Sequence, residues 1–242
     1  MSKCKMSDIM YAELVTLHNI LFTIIFSVYT LIICHIVKNM SWKRSRRMST
    51  KSSDIKTSYS AALLNVAVAG SSLWALRIVD PEELYFALTA FGIVLANSLC
   101  GIFRYGHPEF MDNFKKVHAA SVFVMDTFPV PLIVTELYLQ EGFRPELCYL
   151  HLLSAFIPTI AYTVGMEDDD DKIQDLVIVG NLASLTHLSY ITDNHWGTAL
   201  GVSCILNYFG CCVFSGRSVP YLQMYYIGYC FFNYFAIRAL FE

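Results

Sequence analysis

Apolar runs about as long as a bilayer is thick recur along the whole chain, separated by short polar joints. A hydrocarbon core of about 30 Å needs about 20 apolar residues in a helix, and eight stretches meet that ruler: 11–37, 58–78, 84–104, 117–139, 147–165, 173–191, 196–214 and 220–240. Inside lipid every backbone polar group needs a partner in its own segment, and a helix supplies it. The expected architecture is therefore all-α, a polytopic transmembrane helix bundle of about eight spans forming one integral membrane domain over 1–242. Charged residues make up 15% of the chain, against about 25% in soluble domains. The first run is longer than the apolar stretch of about 7–15 residues in a signal peptide and is expected to remain as a helix.

Alternate joints differ in charge. Twelve Lys and Arg fall on one side of the eight-span arrangement and five on the other. The positive-inside bias assigns the richer side to the cytoplasm, and an even number of spans then leaves both termini non-cytoplasmic. The 39–57 loop is basic, Ser-rich and without apolar periodicity, so it is expected to be a flexible cytoplasmic segment. Its expected partner is the anionic inner leaflet, at about 1 kcal/mol per basic residue near the surface. Within it Arg46-Arg47-Met48-Ser49 reads as a basic-directed phosphorylation site at Ser49, where phosphate would weaken that contact. The acidic run Glu167 to Asp171 lacks the alternating ligands and central Gly of a calcium loop and reads as solvated charge. A net charge of −3 gives no reason to expect a nucleic-acid partner.

The 117–139 run carries an Asp and two helix breakers, Pro129 and Pro131. Its apolar residues contribute about −3 to −7 kcal/mol on insertion scales, and a central Asp takes back about 2.5 to 3.5. Such a helix is expected to face other helices, where Asp126 finds donors or a proton and the prolines free carbonyls beside it. Counted from the cytoplasmic helix ends, Asp126, Asn65, Asn97, Asn181 and Asn207 lie seven to nine residues in, or about 10 to 14 Å. They form a candidate layer, read either as interhelical glue or as a polar pocket or pathway. Three small-residue faces, Gly197/Gly201, Gly92/Ala96/Cys100 and Gly180/Ser184/His187, are expected at internal helix contacts.

Catalytic signatures are missing. The seven histidines include no HxxxH or HExxH pair, the cysteines no CxxC, and no GxSxG or glycine-rich phosphate loop occurs. No enzyme activity, metal site or cofactor is expected. His187, Asp193 and His195 in "SLTHLSYITDNHWG" are the one cluster on which a membrane-embedded hydrolase could be built.

The segment "DNHWGTALGVSCIL" and the closing helix that ends "NYFAIRALFE" resemble the end of an uncharacterised animal multi-pass family, transmembrane protein 276. The resemblance covers residues 193–242, where a small-residue span follows an Asn-containing turn. It implies a multi-pass membrane protein without assigned activity and carries over no functional residue. The expected function is thus a structural or assembly role in a membrane, with the lipid bilayer and a protein partner within it as partners. The alternatives are a small-solute or proton-coupled carrier using Asp126 and the hydrolase at His187, Asp193 and His195.

Overall fold

The computed structural model of the chain describes residues 59–106, 115–164, 170–210 and 221–242. The expected 11–37 span, the 39–57 loop and Ser49 lie outside the described residues. Every regular element among those described is helical: α1 (Tyr59–Ile78), α2 (Tyr85–Gly106), α3 (Lys115–Thr127), α4 (Pro129–Gln140), α5 (Pro145–Ser154), α6 (Phe156–Val164), α7 (Asp170–Ile191), α8 (His195–Ile205), a π-helical turn (Leu206–Gly210) and α9 (Tyr221–Phe241). The seven later apolar stretches are thus helical, with ends close to those read from sequence.

Two of the expected spans are broken, and proline is the reason for both; the break at Pro129 and Pro131 was expected, that at Pro158 was not. Pro129 and Pro131 separate α3 from α4 at Phe128. Pro158 has no N–H to return to the Ser154 carbonyl, and the chain parts at Ala155, between α5 and α6. Among the described residues three segments are long and apolar enough to cross a membrane: Tyr59–Ile78, Tyr85–Gly106 and Val117–Gln140, with Pro145–Ala161 a shorter apolar helix. The remaining helices are too short or too polar to qualify by length and composition.

The helices pack as a ring. α1 lies against α2, α2 against α3 and α4, α4 against α7, α7 against α8, and α8 against α9, which returns to α1. α5 leans on α4 and α6 on α7, outside that ring. Along the closing seam, the Asn233 amide donates to the hydroxyls of Ser71 and Ser72, both at 2.9 Å, and Trp74 stacks on Tyr234. The inner side of α9 is aromatic: Tyr225, Tyr226, Tyr229 and Phe232 are all buried.

Turn chemistry explains the helix ends. Gly142 (φ 73°) takes the left-handed conformation after α4; its N–H bonds Leu139 O at 3.0 Å, Phe143 N–H bonds Tyr138 O at 3.1 Å, and the two rings meet. This is a Schellman closure with its hydrophobic contact. Asp193 (φ 58°) plays the same part after α7, with Asn194 N–H on Ser189 O at 2.9 Å. Asn194 then caps α8 by accepting from Gly197 N at 2.8 Å, while its amide reaches Ala239 O in α9 at 2.8 Å.

The start of α2 has no capping side chain of its own. Glu136 of α4, 4% exposed, supplies it by accepting from the N–H groups of Phe86 at 2.7 Å and Ala87 at 2.9 Å. A buried carboxylate is stabilised there by two orphan donors and by the positive end of the helix. Glu136→Ala would leave both donors unmet at about 1–3 kcal/mol each. It is therefore expected to lower the thermal midpoint of the detergent-solubilised protein far more than Glu136→Gln, which keeps an acceptor; equal midpoints would contradict this role.

Candidate functional site

Asp126 sits one residue before the end of α3, where the helix breaks, and is 4% exposed. Pro129 lacks the N–H that would bond Met125 O, so that carbonyl is free for another donor. Tyr229 of α9 reaches it at 3.1 Å. Tyr208, on the π-helical turn, donates to Asp126 O at 2.7 Å. The carboxylate itself accepts from Tyr225 at 2.6 Å and lies 3.2 Å from the Tyr229 hydroxyl, both on Oδ1. The Tyr229 hydroxyl has one proton and three acceptors within reach, Met125 O, Asp126 Oδ1 and Tyr208 Oη, the last at 3.1 Å.

Tyr225 and Tyr229 are four residues apart and project from one face of α9. They bring the C-terminal helix onto the broken one, and the Met125 carbonyl exposed by Pro129 is met by a phenol. The expectation that Asp126 finds donors inside the bundle holds, and the donors are tyrosines. Gln174 of α7 adds a contact nearby, donating to Thr127 Oγ1 at 2.8 Å.

All five residues of the candidate layer are buried, but they do not form one group. Asn97 accepts from Ser121 at 2.8 Å and donates to Met125 Sδ at 3.0 Å, next to Asp126. Asn207 precedes Tyr208 and lies so close to Gly228 of α9 that a Cβ there would collide with its carboxamide. Asn65 bonds Ala61 O at 2.8 Å and packs its amide on Gly101 of α2, where an added Cβ would collide with it. Asn181 stands apart: its Oδ1 is 3.1 Å from His151 Nδ1, and its amide donates to Ser154 Oγ at 2.9 Å.

Of the small-residue faces, Gly197 and Gly201 do meet α7, against Ser189 and against Thr186 and Leu185. The other two are mixed: Ala96 and Gly180 are exposed and a Cβ added at Gly92 or Gly180 would meet nothing within 4 Å, whereas Ser184 does contact Tyr138 and His151 of neighbouring helices. Small residues spaced by four also suit a helix face turned to lipid, so the spacing alone does not mark a contact.

A second polar set was not legible in advance. Arg104, counted with the cytoplasmic basic residues, is instead buried and donates from Nη1 to His118 Nδ1 at 2.8 Å. Arginine only donates, so His118 is protonated on Nε2, which faces Tyr226 Oη at 3.4 Å. Tyr105 packs its ring on His118 and under the Arg104 guanidinium.

The cluster considered for hydrolysis is spread out. Asp193 and His195 are exposed in the α7–α8 turn, and His187 lies back inside α7. Among the described residues no group of three His, Cys, Asp or Glu could hold a metal ion.

Tyr229→Phe and Asp126→Asn share one hydrogen-bond set, so their effects on unfolding should not add; a coupling of about 0.5–3 kcal/mol is expected in a double-mutant cycle. Additivity would mean that the carboxylate is held elsewhere.

No curated protein and no solved structure matches the chain. A family model described as a domain of unknown function, DUF4791, matches residues 81–240, which hold α2 through almost all of α9 and every residue of the Asp126 site. The chain belongs to the DUF4791 family.

Proposed function

We propose that the protein is a multi-pass integral membrane protein of eight spans with both termini non-cytoplasmic, and that its interior polar groups serve to hold the bundle in a structural or assembly role. What carries this reading is that the Asp126 carboxylate is met by the chain's own hydroxyls, from Tyr225 and Tyr229. A carboxylate so provided for needs no ligand, and in hydrocarbon its pairing ties α3 to α9. The three bilayer-length apolar segments support membrane residence. The 39–57 loop is assigned to the anionic inner leaflet, with Ser49 as a site whose phosphorylation releases it. The likeness of residues 193–242 to transmembrane protein 276 extends the same reading.

A second reading, a proton-coupled or small-solute carrier, is favoured by one observation. Two interrupted helices, α3/α4 and α8 with its π-helical turn, meet at Asp126 through Tyr208. Breaks of this kind next to an ionisable group are how carriers build sites at membrane depth.

Asp126→Asn separates the two. Misassembly, read as loss of the monodisperse species in detergent, is the outcome for a structural role; an intact protein that has lost pH-dependent flux in proteoliposomes is the outcome for a carrier. Impermeant labelling of single cysteines in 39–57 should succeed only from the cytoplasmic side, and labelling from outside would invert the topology.

A further inference from the structure

A group of side chains away from Asp126 has the geometry of a nucleophile, a base and an orienting amide. Ser184 Oγ of α7 lies 3.2 Å from His151 Nε2 of α5. His151 Nδ1 lies 3.1 Å from Asn181 Oδ1. Asn181 is held in that pose because its amide donates to Val177 O and Ser154 Oγ, both at 2.9 Å, while Ser154 donates to His151 O at 2.6 Å. With the carbonyl end of Asn181 facing Nδ1, the imidazole carries its proton on Nδ1, and Nε2 is left as the acceptor for the Ser184 hydroxyl. Tyr138 completes the set, with its hydroxyl 2.7 Å from Ser184 Oγ and its ring tilted over His151 at 4.8 Å.

Polar side chains that only stitch helices behave differently in this protein. The hydroxyls of Ser72, Ser98, Thr186 and Ser189 all return their proton to the carbonyl four residues earlier. Ser184 makes no such bond and directs its hydroxyl at the imidazole and the phenol instead. Ser184 and His151 are also only partly buried, whereas the Asp126 carboxylate is buried. Leu147, Leu150 and Leu153 on the same α5 present an exposed apolar surface.

We propose that Ser184, His151 and Asn181 form an acyl-transfer site that hydrolyses lipid esters, with Tyr138 as the hydroxyl donor to the developing oxyanion. Ser–His–amide sets of this order are recognised by geometry and role rather than by sequence position. The lipid class of substrate rests on the membrane reading above. His151 is six residues from the start of α5 and Ser184 seven from the end of α7, about 10 Å at 1.5 Å per residue, and the exposed leucines of α5 offer an apolar surface for the acyl chain of such a substrate. In the first step His151 Nε2 takes the Ser184 proton as Oγ bonds to the ester carbonyl carbon. The carbon–oxygen bond to the alcohol then breaks, and the alcohol leaves with the proton from Nε2. Water next gives a proton to Nε2 and adds to the acyl carbon. The bond to Ser184 Oγ breaks, the proton returns to it, and a fatty acid is released.

The full chain, purified in detergent and checked as monodisperse, would be treated with a fluorophosphonate and digested. An adduct on the Ser184 peptide is expected, and its absence from folded native protein overturns the site without recourse to any variant. Hydrolysis of p-nitrophenyl acetate should fall about 100-fold or more in Ser184→Ala and His151→Gln, with native elution; a native rate in Ser184→Ala also overturns it. Reconstituted into phosphatidylcholine vesicles, the chain should release fatty acid. Turnover of the soluble ester without release from vesicles keeps the triad and overturns the lipid substrate, whatever the fate of the structural role of Asp126.

Discussion

A carboxylate placed among apolar helices must be neutralised or surrounded by donors, because leaving it charged and alone cancels much of what a single helix gains by insertion. Asp126 meets that demand with Tyr225 and Tyr229, and much of the architecture follows from where those two phenols have to come from. They lie on α9, the last element, so the C-terminal helix must return across the bundle to the broken α3/α4 segment. That return closes the ring, places Asn233 on Ser71 and Ser72, and brings the π-helical turn close enough for Tyr208 to occupy the Asp126 carbonyl. Gly228 is the corresponding concession on α9, since a larger residue there would strike Asn207.

The prolines work together with the carboxylate. Each removes a donor from the helix ladder, and a break in an apolar environment is tolerated only where other groups meet the freed carbonyl. Tyr229 does so for Met125. At Pro158 the outcome differs, and the chain parts into α5 and α6 outside the ring. This leaves His151 on a short helix that leans on α4 and reaches α7 through polar side chains. Among the described residues, the polar centre at Asp126 is buried and closed by phenols, whereas that at His151 is partly buried and built on an imidazole.

Depth counting from helix ends put Asp126, Asn65, Asn97, Asn181 and Asn207 at one level, since rise per residue is fixed by the helix, and all five are buried. It could not divide them, because neighbours at one depth are decided by the order in which helices pack. Glu136 went unnoticed for a related reason. As a lone acid near the end of an apolar run it looks like an interfacial residue, and its role as the cap of α2 exists only once α4 lies beside that helix. Small residues misled at Gly92 and Gly180, where spacing by four met no neighbour. A signal was available for the tyrosines, whose spacing at 225 and 229 is that of one helix face.

By itself the sequence determined the all-helical character of the described residues, the positions of the apolar segments and the break at Pro129 and Pro131. These depend on hydrophobic length and on backbone donors, both of which are local properties of the chain. Only the tertiary structure decided that α9 closes on Asp126, that Asn181 parts company with the other amides, and that Ser184 faces His151 rather than its own backbone. Each of these is a contact between residues distant in sequence, and no periodicity records which helix will be the neighbour.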